Sequence, residues 1–297
     1  MNLQPAISLF LGEKTPVTRE SYFYILRDFA GFIGPSRPVE TLRPAHLVEY
    51  NNQVMARDYT PTTLRRYVKT LKTFFNWCVN LELIDKSPAH VLKAHRVPAY
   101  ISRDKAMRED EFETLISYVR WKPRDHALIL FLADTGCRAR GAAGLKVEDL
   151  DLTRCRANVT EKGDKTRPVA FGEDCRTAIN YWLFKRPKGA GVYVFSRTTN
   201  PIKAATVGEI VRRNCLHCGV RSLGSHSLRH RKGHQLADDH IAPSIAATVL
   251  GHSNATITLE HYYPADWETA EKEMRRLAYK PKIYLPNVIR VIREKRG

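Results

Sequence analysis

The chain has 297 residues, with 48 Lys and Arg against 31 Asp and Glu and a formal net charge of +17 at pH 7. That length has room for two domains with separate cores, and one oversized domain is the weaker reading. A sequence pI near 9.7 lies beyond the level of about 9 that marks nucleic-acid binders. A ribosome-associated or membrane-surface protein ranks below a polyanion binder, because the basic residues are spread through patterned segments and no amphipathic basic helix stands apart.

No apolar run approaches the roughly 20 residues of a membrane-spanning helix, and Met1 to Leu11 lacks the layout of a signal peptide. A soluble, cytoplasmic protein is expected. Cys78, Cys137, Cys155, Cys175, Cys215 and Cys218 do not form a disulfide framework in a chain of this size. Cys215-Leu-His217-Cys218 has the inner spacing of a zinc knuckle but no second pair to complete four ligands, so no metal is expected.

From Thr18 to Leu92 the pattern is helical. Tyr22, Ile25, Leu26, Phe29 and Phe32 recur at three- and four-residue steps until Gly34-Pro35 stops them. Leu47, Tyr50 and Val54 mark a second, short helix. Thr60-Pro61 reads as an N-cap followed by proline at the first helical position, and Leu64, Val68, Leu71, Phe74, Phe75 and Cys78 then form one apolar stripe. The other face carries Arg65, Arg66, Lys69 and Lys72 with no acid among them, which favours a phosphate-backbone contact over a merely solvated surface. Asp85 to Pro88 closes this unit, and His95 to Met107, without periodicity, is the candidate linker.

A second unit begins near Arg108. Phe112, Leu115, Ile116 and Val119 predict a helix, Ala127 to Ala133 a buried one, and Thr135-Gly136 a turn after it. Ala157 to Thr160 and Arg167 to Ala170 flank Lys162-Gly-Asp-Lys165 as a β-hairpin. Val192 to Phe195 is expected to add a short strand, and Thr206 to Asn214, His230 to Asp239, Ile241 to Leu250 and Trp267 to Leu277 read as helices. The tail from Lys280 holds Val288, Ile289, Val291 and Ile292 amid basic residues, a strip that needs a docking partner on its own or a neighbouring subunit.

Chemistry concentrates between Ser225 and Ala265, where His226-Ser-Leu-Arg229-His230, Leu250-Gly-His252 and Tyr262-Tyr263 follow one another. Arg229 and Arg138 can grip phosphate oxygens in a fixed plane. Lys162, on a hairpin turn, can protonate a leaving 5′-oxygen. His226 and His252 can hydrogen-bond phosphate or take a tyrosine proton, and Tyr262 or Tyr263 can attack. Taken singly each has a duller explanation: a surface hairpin lysine, a loop arginine, a packed tyrosine. Their joint order changes the weighing.

With those residues in view, the chain resembles the tyrosine recombinase, or phage integrase, family over almost its whole length. The run from Thr60 to Cys78 resembles the family's helical core-binding domain. Its first arginine lies in a Thr-Gly-x-Arg turn, here Thr135-Gly136-Cys137-Arg138, and its hairpin lysine falls on Lys162, with Lys165 second. The His-x-x-Arg pair falls on His226 and Arg229, and the Leu-Gly-His signature on His252. The nucleophile comes nine or ten residues later; nine lands on His261, which cannot form a phenolic ester, and ten on Tyr262, with Tyr263 its neighbour. One departure stands out. The family carries an acid three positions after the first arginine, whereas this chain has Gly141 there, preceded by Arg140.

The resemblance implies a mainly α fold with a small antiparallel β-sheet: a helical SAM-like core-binding domain over 1–97, a linker over 98–106, a mixed α/β catalytic domain over 107–280 and a tail over 281–297. It implies site-specific DNA cutting and rejoining, as in a mobile-element integrase, through a 3′-phosphotyrosine on Tyr262, with no metal, ATP or other cofactor. Arg138 and Arg229 would stabilise the phosphorane, Lys162 protonate the departing oxygen, His226 accept the phenol's proton and His252 donate to phosphate. The partner would be double-stranded DNA, held by a homo-tetramer that is a monomer or dimer when free, with the tail exchanged between neighbours. The alternatives are a strand-transferase that relaxes or resolves DNA without partner exchange, and a DNA-binding protein of the same fold that has lost catalysis.

Overall fold

The computed structural model describes residues 1–94, 103–161, 163–252, 254–263 and 271, and the chain divides into two units, Met1–Pro98 and Ala99–Gly297. Most of the expected linker, Lys162 and the tail lie outside the described residues. Helices dominate and one small antiparallel sheet accompanies them, the fold class that the sequence implies.

The first unit is built from α1 (Leu3–Gly12), α2 (Pro16–Ile33), α3 (Pro44–Met55) and α4 (Pro61–Asn80). Proline opens α2, α3 and α4 at a position where a backbone N–H would have no helical partner. Thr60 caps α4 as expected, its Oγ1 accepting from the N–H of Thr63 at 3.3 Å. The predicted apolar stripe of α4 is buried, and its aromatics meet those of α1 and α2: Phe10 stands edge-on to Phe74 at 5.5 Å, and Phe29 edge-on to Phe75 at 5.8 Å. Such pairs add to the area they bury. Arg65, Arg66 and Lys69 stay exposed on the opposite face, while Lys72 is half-buried. Helix α1 was not anticipated; Leu3, Ala6, Ile7, Phe10 and Leu11 give it a buried face.

The second unit wraps helices around α6 (Pro123–Thr135), whose residues from Ala127 to Ala133 are buried on every side. Packed on it are α5 (Glu109–Val119), α7 (Ala139–Gly144), α8 (Glu173–Lys185), α9 (Ala204–His217) and α10 (Ser225–Asp238). Two short helices follow, α11 (Pro243–Leu250) and α12 (Ala255–Tyr262). Strands β1 (Leu150–Asp151), β2 (Arg156–Thr160) and β3 (Thr166–Ala170) form a sheet in that order, with Val159 opposite Arg167 across the β2–β3 hairpin.

Two expectations need correction. Val192 to Phe195 is not a strand; Tyr193 makes a single antiparallel bridge with Lys146 while Val194 and Phe195 enter the core. Helix α10 begins at Ser225, five residues before the predicted start, so its first turn carries His226. The Trp267 to Leu277 helix falls outside the described residues except Glu271. No described helix is long and apolar enough to cross a membrane.

Candidate active site

Four chain turns converge in the second unit. The C-terminal end of α6 leads through Gly136 and Cys137 to Arg138 at the start of α7. Helix α10 buries Arg229, which is 5% exposed, and its Nη1 donates to the carbonyl of Gly136 at 2.7 Å. Gly251 ends α11 at φ 65°, a left-handed conformation that suits glycine, and its carbonyl accepts from Arg138 Nη1 at 3.2 Å. His252 follows at once. Asn254 then caps α12 by accepting from the N–H of Thr256 at 2.9 Å, and that helix delivers Tyr262.

The arginines share one electrostatic environment. Burial, and then the charge of Arg138, hold the Arg229 guanidinium down to about 10, so it stays cationic at neutral pH. Nη2 of Arg229 is buried without a hydrogen-bond partner among the described residues.

Tyr262 is 3% exposed, and its hydroxyl hydrogen-bonds to Nδ1 of His230 at 2.9 Å. Its ring lies nearly parallel to that of His252, 6.4 Å away, and edge-on to His234 at 5.2 Å. The ring rests against the backbone of α10 at Gly233, where a Cβ would come within 2.5 Å of it. Burial raises the Tyr262 phenol above its ordinary value, with Arg229 and Arg138 pulling the other way. Tyr263 turns elsewhere, donating to the carbonyl of Ile241 at 2.7 Å.

The imidazoles are kept neutral. Burial, then the neighbouring His226 and Arg229, which disfavour a second cation there, lower His230 to about 4. Burial, then Arg229 and Arg138, lower His252 to about 4, and its Nδ1 hydrogen-bonds to Thr258 Oγ1 at 2.7 Å. His226 is exposed in the first turn of α10, its ring 6.3 Å from that of His230.

Three side chains that the sequence reading left unassigned join the cluster: His230, Glu161 and Arg167. Glu161 is 4% exposed; it accepts from the backbone N–H of Arg138 at 2.8 Å and pairs with the Arg138 guanidinium. Arg167 donates to the Val249 carbonyl at 2.9 Å and reaches Glu161 at 3.5 Å. A cleft of about 540 Å³ opens here, lined by Arg138, Glu161, Gly163, Lys165, Thr166, Arg167, Gly251 and His252. Arg140 does not join it; it is exposed and pairs with Asp164 at 3.1 Å. His230 was in view beside Arg229, whereas nothing local marks Glu161, whose partner is 23 residues away.

All six cysteines are free, and among the described residues no group of three or more His, Cys, Asp or Glu could hold a metal ion. The cluster thus joins a phenol, neutral imidazoles, three guanidinium groups and one carboxylate, a set able to hold a tetrahedral anion and relay a proton.

Comparison with known proteins points the same way. The phage integrase family's sequence model matches residues 105–268, and that of the phage integrase N-terminal SAM-like domain matches residues 8–85. The chain is 29% identical over 266 residues to the tyrosine recombinase XerC of Mycobacterium sp. (strain JLS), covering 81% of this chain and 86% of that one. In fold it is similar to the Tn1549 transposon integrase in complex with a circular intermediate DNA, with a TM-score of 0.75, 20% identity and coverage of 94% of this chain and 100% of that one. It is also similar to a lambda integrase dimer bound to a COC′ core site, with a TM-score of 0.68, 14% identity and coverage of 96% and 100%.

Proposed function

We propose that this chain, which belongs to the phage integrase family and is a site-specific tyrosine recombinase, cuts and rejoins double-stranded DNA through a phosphotyrosine formed on Tyr262. The observation that carries this reading is Nη2 of Arg229, a cationic donor buried without a partner among the described residues. An unpaired buried donor costs about 1–3 kcal/mol, and a bound phosphate oxygen in reach of Arg138 would offset that cost.

In the proposed reaction the DNA phosphate binds Arg229, Arg138 and His252. Tyr262 Oη attacks phosphorus, and its proton passes to Nδ1 of His230, an imidazole held neutral and already on the hydroxyl. The guanidinium groups stabilise the charge of the five-coordinate phosphorus. The 5′-oxygen departs with a proton from Lys162, leaving a 3′-phosphotyrosine; a 5′-hydroxyl from a partner strand reverses the step. The sequence reading gave the phenol's proton to His226; we move that role to His230 and leave His226 as a phosphate ligand. The exposed cations of α4, Arg65, Arg66 and Lys69, with half-buried Lys72, supply sequence-independent backbone contacts. Because recombination joins two duplexes with two cleavages on each, a tetramer on DNA is part of the proposal.

The test is incubation with a pool of nicked random-sequence duplexes, recovery of protein bound covalently to DNA, and peptide mapping. A 3′-phosphate ester on Tyr262, absent from Tyr262→Phe, supports the reading. An adduct on another residue, or none from any sequence in the pool, overturns it.

A further inference from the structure

Glu161 serves Arg138 through two atoms. Oε1 accepts from the backbone N–H of Arg138 at 2.8 Å, and Oε2 accepts from its guanidinium Nη1, which also donates to the Gly251 carbonyl at 3.2 Å. Both of these side-chain anchors use Nη1, so a ligand's hydrogen bonds fall to Nε and Nη2. The Arg138 side chain is 35% exposed, whereas that of Glu161 is 6% exposed. The arginine is therefore the open partner and the carboxylate its fixed base.

Burial alone would push the Glu161 carboxyl up, but the Arg138 N–H and the charges of Arg167, Arg138 and Arg229 outweigh it and hold the group ionised. A buried carboxylate among three guanidinium groups is costly to neutralise and leaves an uncompensated cation if removed. A second observation concerns space. Gly141 sits in α7, three residues after Arg138, and a Cβ added there would stand 3.4 Å from Glu161 Cγ and 3.6 Å from its Oε1. A Cβ at 141 would thus stand in van der Waals contact with the Glu161 side chain, beside the same arginine.

We propose that Glu161, reaching in from the end of β2, is the positioning residue that aims Arg138 at the phosphate, filling from the hairpin the place that a carboxylate at 141 would fill from the helix. The inference rests on the reading of Arg138 as a phosphate ligand. It assigns the glycine at 141 and the acid at 161 as one exchange: the anchoring charge stays beside Arg138 while the element that carries it changes. Arg167 gains a role too, since it pairs with the same carboxylate at 3.5 Å.

The test compares Glu161→Gln, Glu161→Gly, Gly141→Glu and the double variant Glu161→Gly/Gly141→Glu with the parent, using a duplex recovered in the adduct selection. Single-turnover adduct formation is measured at saturating DNA, alongside the dissociation constant for the same duplex. Glu161→Gln keeps the side chain's shape, and the expected outcome is adduct formation slowed about tenfold with the dissociation constant unchanged; Glu161→Gly is expected to lose about a hundredfold, the scale of a misplaced catalytic group. The double variant should recover most of the loss of Glu161→Gly, and comparing rates among variants that melt alike separates aiming from folding, while Gly141→Glu alone should melt below the parent because two carboxylates crowd one buried site. Glu161→Gln reacting at the parental rate overturns the inference, as does a double variant that melts like the parent yet reacts no faster than Glu161→Gly. A crystal structure of Glu161→Gln gives a readout independent of the chemistry: an Arg138 guanidinium in its parental place overturns the positioning role even if no duplex is ever cleaved. A parent that forms no adduct with any DNA, with Arg138 displaced in that crystal, sinks the reading of the reaction and leaves the positioning role standing.

Discussion

Two sets of cations divide the molecule's charge in opposite ways. On α4 the basic side chains of Arg65, Arg66 and Lys69 stand exposed, whereas on α10 the Arg229 guanidinium is 5% exposed, faced by Arg138, and displaced from its ordinary acidity. A solvated cation contributes a modest, salt-screened attraction whose direction matters little. A buried one costs free energy to hold and acts on whatever anion reaches it, with little solvent to reorganise. In the proposed reaction, burial more than count separates cations that would gather DNA from cations that would act on one phosphate.

That contrast can be broken most sharply at Arg229. Arg229→Ala is expected to slow adduct formation at saturating DNA by about 10²–10³-fold, the usual cost of one lost charge-stabilising donor, while affinity for the duplex moves little. Equal losses in rate and affinity would mean that the buried arginine is one more backbone contact. Next comes Gly233→Ala. The added methyl would lie 2.5 Å from the Tyr262 ring, so the tyrosine must shift; adduct formation should drop about a hundredfold and the melting temperature should fall, both measured on the same preparation. Unchanged kinetics would show that Tyr262 reacts from a different seat.

On the other side of the comparison, Arg65→Gln and Lys69→Gln should leave the saturated rate alone. Each should reduce the dependence of log affinity on log salt by about 0.9, as expected for one lost phosphate contact, read from a salt titration. A changed rate at saturation would erase the distinction between the two cation sets. The smallest effect is in pH. His230 and His252 sit at about 4 when folded against an ordinary 6.5, so above 6.5 neither state binds these protons. Below it the unfolded chain takes them up first, and stability should fall progressively from pH 6.5 toward 4, followed by urea unfolding at each pH. A flat profile across that window would mean that neither imidazole is held as described.

Much of this was legible from the sequence because apolar periodicity reports burial. The stripe of α4, its Thr60 cap and the hairpin that becomes β2 and β3 follow from local spacing and turn chemistry. Where that signal thins, the reading failed. The first turn of α10, Ser-His-Ser-Leu, holds a single apolar residue, so apolar spacing marks no helix before His230. Helix α8 does carry the signal, with Cys175, Ala178, Ile179 and Trp182 at helical spacing. Val192 to Phe195 is as apolar as a strand, but two hydrogen bonds to the Leu145–Val147 segment are all that its backbone makes there, so burial alone mimicked a strand. The residues proposed for the site on short motifs, Arg138, His226, Arg229 and His252, can be picked out by local spacing. Glu161 cannot, since its role depends on Arg138, Arg167 and the bare backbone at 141 meeting in space.

The seat of Tyr262 has a consequence for assemblies. The hydroxyl rests on His230 and the ring on Gly233 of the same polypeptide that supplies Arg229, so the proposed attacking group and the proposed anion holder are inherited together. Pooling copies crippled at Tyr262 with copies crippled at Arg229 should yield no working centre, because neither can lend its sound half to the other.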